Sequence, residues 1–177
     1  MAAALRRGGD GVSVVRLGPE DAEDLRDIRL EALRLHPTAF SADPDVESAF
    51  TLERWREGLK SRVWFGGRVA GVLAGINAFS IDGYSKKVAH IGHLGAMYVR
   101  AGARGTGLAD ALMKNFLDYA VGKVEQVELT VEAGNAVAVK LYERHGFRTV
   151  GKMPRSIRIG DVFYDELQMY RLVSSSD

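Results

Sequence analysis

The chain has 177 residues, 46% of them hydrophobic, which is enough to bury one sizeable core and short for two. Its 24 Lys and Arg stand against 23 Asp and Glu, a formal charge of +1 with no long basic run, so nothing supplies the field that nucleic acid attracts. Cysteine is absent, which excludes disulfides, thiolate metal sites and a cysteine acyl carrier.

Residues 1–11 carry Gly and Arg without periodicity and read as a flexible lead-in. The apolar run there is too short for a signal-peptide core, and no segment reaches the ~18 apolar residues of a membrane span. A cytoplasmic protein without membrane or nucleic-acid partners is the expectation. Residues 12–17 then read as a strand, and Gly18-Pro19 opens a helix with Pro at its first position and acids in its first turn. Leu25, Ile28, Leu30, Ala32, Leu33 and Leu35 give that helix an apolar stripe, ended by Pro37. Residues 38–49 read as irregular and acidic, and Leu52, Trp55 and Leu59 mark a second, short helix.

Apolar runs on either side of Gly66-Gly67 predict a hairpin with those two glycines as its turn. After a loop around Asp82-Gly83 come a long strand over 88–99, a glycine-rich turn, a helix over 107–121, a strand over 124–131 and a helix from Asn135. Gly146 stands where a helix-ending glycine would, strands over 147–153 and 161–172 close the domain, and 174–177 read as a frayed tail. The pattern predicts a mixed α/β (α+β) domain over 12–173, with a mostly antiparallel sheet of six to seven strands and four helices.

The stretch Arg104-Gly105-Thr106-Gly107-Leu108-Ala109 between strand and helix leaves N–H groups pointing out of a helix start, an arrangement that binds phosphate. Three phosphate-loop patterns compete for it. A Walker A loop needs Lys-Ser/Thr where Leu108-Ala109 stand, and a dinucleotide fingerprint needs a small residue where Asp110 stands. What remains is Arg104-x-x-Gly107-x-Ala109, which resembles the acetyl-CoA pyrophosphate loop of the GNAT N-acetyltransferases. Downstream, Asn135-x-x-Ala138-x-x-Leu141-Tyr142-x-x-x-Gly146-Phe147 is similar to the helix and helix stop that follow the cofactor strand in that family. The resemblance covers roughly residues 12–173.

It implies the GNAT fold and transfer of an acetyl group from acetyl-CoA directly to a primary amine in a ternary complex, with no metal. The amides of Arg104, Gly105, Thr106, Gly107, Leu108 and Ala109 would hold the pyrophosphate, and the backbone of Met97, Tyr98 and Val99 the pantetheine. Asn135 is a further cofactor contact by resemblance and an N-cap by its own chemistry; both can hold. Lys140 and Arg144 share a helical face and either approach the 3′-phosphate or form a solvated surface.

Tyr142 stands where the family places a hydroxyl at the thioester sulfur, against the alternative of a core tyrosine. Full proton transfer from a phenol near pKa 10 to a thiolate near 8.5 is uphill by about 2 kcal/mol, so a hydrogen bond to the developing thiolate is the better description. His93, near the place where some members carry a Glu base, is a candidate base or else a packed histidine; Glu132 is a second candidate, working through water. Arg29, Phe40 and Trp55 lie in the segment that roofs the acceptor site in the family and are candidate acceptor contacts, with Phe40 and Trp55 alternatively closing the core. Two readings stay open beside a small-amine acetyltransferase: a non-catalytic acyl-CoA-binding or sensing module, and an enzyme for protein N-termini or lysines. A homodimer also stays open.

Overall fold

The computed structural model describes residues 11–173, so the lead-in before Gly11 and the tail at 174–177 lie outside the described residues. A seven-stranded sheet forms the frame, in the order β1-β2-β3-β4-β5-β7-β6, with β1 Val12–Arg16, β2 Val63–Val69, β3 Val72–Ile81, β4 Ile91–Val99, β5 Gln126–Glu132, β6 Arg148–Ile159 and β7 Val162–Leu172. Every neighbouring pair is antiparallel except β4 and β5, which run parallel with a helix crossing between them.

Helices cover both faces. The first face carries α1 Ala22–Leu35, α2 Pro44–Ser48 and α3 Leu52–Ser61, whose Leu25, Ile28, Trp55 and Leu59 are buried with Trp64, Ile76, Ala78 and Tyr98 of the sheet. The second carries α4 Leu108–Ala120 and α5 Ala136–Arg144, where Leu112, Met113, Phe116, Leu141 and Tyr142 are buried with Phe65, Phe79, Leu94, Val127, Leu129 and Met169. Of the stripe read in 25–35, Leu25, Ile28, Leu30, Ala32 and Leu33 are buried, as the inner face of an amphipathic surface helix must be, whereas Leu35 at the helix end is 63% exposed.

Several local expectations need correction. Pro19–Asp21 forms a 3₁₀ turn ahead of α1 rather than its first turn. Within 38–49, expected to be irregular, α2 adds a fifth helix: Asp43 caps it by accepting from Asp45 N at 2.8 Å and Pro44 takes the first position. The β4 strand begins at Ile91, not 88, and β6 runs on to Ile159 past two irregularities in its pairing with β7.

Gly66-Gly67 is not a turn. Both glycines sit inside β2, and the chain reverses at Ala70-Gly71, which adopt φ of +49° and +85°. The reason is close packing on both faces at once: a Cβ on Gly66 would stand 2.5 Å from Leu17 Cδ2 and 2.7 Å from Leu73 Cδ1, and one on Gly67 would run into the Leu108 side chain. Gly67→Val should therefore overpack the β2–α4 contact by about 1–3 kcal/mol. At roughly 2–4 °C per kcal/mol for a domain of this size, thermal unfolding should show a Tm several degrees lower, and an unchanged Tm would contradict this packing.

Candidate active site

β4 and β5 pair only through Ile91–Gln126, Gly92–Val127 and His93–Glu128. Beyond them the strands part, leaving the β4 edge from Leu94 onward facing the β5 edge from Leu129 onward across an open cleft. A bulge against β3 accompanies the parting, and Ala96 within it takes φ +55°, a left-handed conformation unusual for a residue with a Cβ. Consequently Leu94, Gly95, Ala96 and Met97 all line the cleft, which regular alternation would forbid. Phe40, Thr130, Glu132, Asn135 and Tyr142 are also part of its wall, around an empty volume of about 430 Å³ including the mouth. A second hollow of about 500 Å³, lined by Gly146, Arg148, Tyr170, Arg171 and Leu172, adjoins none of these groups.

The glycine-rich turn lies at the end of β4. Gly105 and Gly107 have φ of +79° and +82°, Thr106 Oγ1 donates to Ala103 O at 2.7 Å, and α4 starts immediately after. Among the described residues, the amides of 105–110 meet no acceptor in the chain. Arg104 is turned away from them: its Nε donates to Val99 O at 3.3 Å, and its Nη2 lies 3.3 Å from His36 Nε2. What the turn presents is a set of free amides rather than the guanidinium, a chemistry suited to an anion.

Tyr142 is 7% exposed, T-stacked against Phe147 at 6.0 Å, and reaches the cleft wall from α5. Burial drives its pKa well above the ordinary tyrosine value, so the hydroxyl stays a donor. Asn135 caps α5 by accepting from Ala138 N at 3.1 Å and also lines the cleft, while Glu132 accepts from Gly134 N at 2.9 Å at the end of β5. Tyr98 points to the opposite face, donates to Glu31 at 2.8 Å, and has its pKa pushed up to about 12 by burial and then by that carboxylate. Its side chain is therefore no part of the cleft lining.

Other candidates lie elsewhere. His93 sits where β4 and β5 are still paired, 3.3 Å from Asp82 and outside the cleft lining. Lys140 is exposed, and Arg144 pairs with Asp110 at 3.1 Å. Burial alone would raise the Asp110 pKa, but hydrogen bonds from His145 and Arg144 outweigh it and hold the carboxyl below its ordinary value. Trp55 is buried beside Phe50 at 5.9 Å, and Arg29 is 8% exposed in a two-point pair with Glu47, both contacts at 3.0 Å.

One residue that the motifs do not single out is Arg62. The order Arg62-Val63-Trp64 puts its side chain on the Trp64 face of the sheet, a charged residue at a core-facing position, and that alternation is the signal for it. Its guanidinium lies 5.3 Å from the Trp64 ring. Burial lowers its pKa, the nearby charge of Arg29 adds to the effect, and Glu47 offsets part of it. Among the described residues no cluster of three or more His, Asp or Glu side chains is placed to hold a metal, and no helix is long and apolar enough to cross a membrane.

The same architecture recurs in solved proteins. An acetyltransferase of the GNAT family from Streptococcus pneumoniae superposes with a TM-score of 0.81 at 27% identity, over 92% of this chain and 99% of that one. The GCN5-related N-acetyltransferase of Kribbella flavida gives 0.77 at 22% identity, over 93% and 99%. The Salmonella typhimurium protein yncA, solved with its cofactor acetyl-CoA, gives 0.75 at 18% identity, over 94% and 96%. No curated relative matches the chain. The family model for the acetyltransferase (GNAT) family matches residues 23–147, a span that holds the parted strands, the amide-lined turn and Tyr142: the chain belongs to the GNAT acetyltransferase family.

Proposed function

We propose that this protein is an acetyl-CoA-dependent N-acetyltransferase that moves the acetyl group directly to a primary amine. The observation that carries this reading is the run of unpartnered amides at 105–110, set at one end of a cleft between parted strands into which the Tyr142 side of α5 is turned. A pyrophosphate and a chain of amides suit such a turn and such open strand edges, so the residues present fit the cosubstrate.

When bound, acetyl-CoA supplies an activated thioester. The chain's part is to orient and to handle charge. The amides of 105–109 hold the pyrophosphate, the Met97–Val99 edge aligns the pantetheine, Asn135 lines the mouth, and exposed Lys140 is available to the 3′-phosphate. Tyr142 donates a hydrogen bond to the sulfur as the C–S bond breaks and the N–C bond forms. The proton given up by the amine passes to water held by Glu132, the carboxylate on the cleft wall; His93, outside the lining, is the more distant alternative.

Release of free thiol with a panel of primary amines tests the activity. With no cysteine to carry an acetyl group, initial-rate plots with both substrates varied should intersect; parallel lines, or an acetylated enzyme formed without acceptor, would contradict direct transfer.

A further inference from the structure

Three of the buried side-chain atoms without a hydrogen-bond partner are donors on the α1–α3 side of the sheet: Arg29 Nη1, Arg62 Nε and Trp55 Nε1. Two belong to guanidiniums. Arg29 spends Nε and Nη2 on Glu47, and its Nη1 stays free. Arg62 has no carboxylate partner among the described residues and is held close enough to Arg29 to feel its charge.

Neither guanidinium is part of the cleft lining, but each lies against a residue that is. A Cβ on Gly95 would stand 2.6 Å from Arg62 Nη2, so the Arg62 fork lies against the backbone of a cleft-lining residue that has no side chain to keep it away. The Arg29 guanidinium lies 5.2 Å from the ring of Phe40, another residue of that wall. Two cations and one carboxylate leave a single positive charge without a partner. Arg29 is 8% exposed and Arg62 is half-buried, with its Nε out of reach of water, and cations withdrawn to this extent are normally paired, because desolvation disfavours a charge without a partner. A planar fork with a net charge of one matches a carboxylate better than a phosphate dianion.

We infer that Arg62, backed by Arg29, forms a carboxylate-binding subsite on the acceptor side of the cleft, so that the acceptor is a small amine that also carries a carboxylate, as an amino acid does. The inference rests on the acetyltransferase reading for the amine half of that statement only. Burial of Arg29 argues for a small acceptor over a passing polypeptide, and Phe40 offers an apolar surface for the body between amine and carboxylate.

Two measurements test it on the full chain. The two tryptophans of the sequence, Trp55 and Trp64, both belong to this cluster, so intrinsic fluorescence reports on it directly. Titration with 3-phenylpropionate should give a saturable change that 3-phenylpropan-1-ol does not. Arg62→Gln should weaken it at least tenfold, with Arg62→Lys recovering part of the loss. In turnover, L-phenylalanine and L-methionine should exceed phenethylamine and 3-(methylthio)propylamine in kcat/KM by at least tenfold, and Arg62→Gln should erase that preference.

No saturable response of the wild-type protein to 3-phenylpropionate overturns the subsite, whether or not the variants fold. So does an equal response in folded Arg62→Gln, or a preference for the carboxylate-free amines. Acetylation of both members of each pair at equal rates removes the subsite and leaves the acetyltransferase standing. A normal titration with no thiol release from any amine does the reverse.

Discussion

Tyr142→Phe is expected to lower kcat by about tenfold to a thousandfold while leaving acetyl-CoA affinity nearly unchanged. The substitution removes one oxygen from a buried ring held by Phe147, so the ring's packing persists and no charge is disturbed. On the proposed reading, what disappears is a donor to a charge that exists only as the thiolate departs, and such losses appear in kcat rather than in ground-state binding. Because burial holds the hydroxyl pKa above its ordinary value, full proton transfer to sulfur is even less favourable than the reference values suggest, and hydrogen bonding is the operative role. The same upward shift fixes the sign of the pH behaviour: the protonated, active form of Tyr142 persists past about pH 10, the ordinary tyrosine value, so this residue contributes no alkaline fall in kcat below it. Calorimetry with acetyl-CoA and steady-state kinetics of the variant check both halves. Full activity in Tyr142→Phe would mean that the leaving group needs no help from this residue.

What the sequence made legible follows from the range over which each feature is decided. The Asn135 cap, the helix-ending Gly146 and the left-handed Gly105 and Gly107 are fixed within a few residues, and they stand where turn and cap chemistry put them. Gly66-Gly67 carries the same local signature as a hairpin turn. Its real demand comes from Leu17, Leu73 and Leu108, side chains brought in by other elements, and no local rule contains them.

The cleft divides in the same way. Tyr142 and Asn135 enter it through the phase of α5, which periodicity gives, whereas the exclusion of His93 depends on how far β4 and β5 stay paired. The bulge at Ala96, a residue that nothing in its neighbourhood marks for a positive φ, brings Leu94–Met97 to the wall together. Arg62 is an intermediate case. Its alternation with Trp64 is readable, but that Glu47 is spent on Arg29, with no carboxylate left in ion-pair reach of Arg62 among the described residues, emerges only when α1, α2 and β2 are assembled.

Gly107→Val is expected to weaken acetyl-CoA binding at least tenfold, about 1.4 kcal/mol, without altering the circular dichroism spectrum. The effect is not one of space, since nothing stands within 4 Å of where the Cβ would be. It is one of backbone. Gly107 caps α4 at φ +82°, a region that disfavours any residue with a Cβ by roughly 1–2 kcal/mol and a β-branched one more. A chain that relieves this by turning the substituted position to negative φ must re-aim the amides of 108 and 109, which on the proposed reading help hold the pyrophosphate, while the helix beyond keeps its own hydrogen bonds. Gly102→Ala serves as the control, because Gly102 has equally open space and no positive φ. It should bind acetyl-CoA as the unaltered protein does. Equal losses in the two variants, or unchanged affinity in Gly107→Val measured by calorimetry, would move the pyrophosphate away from this turn.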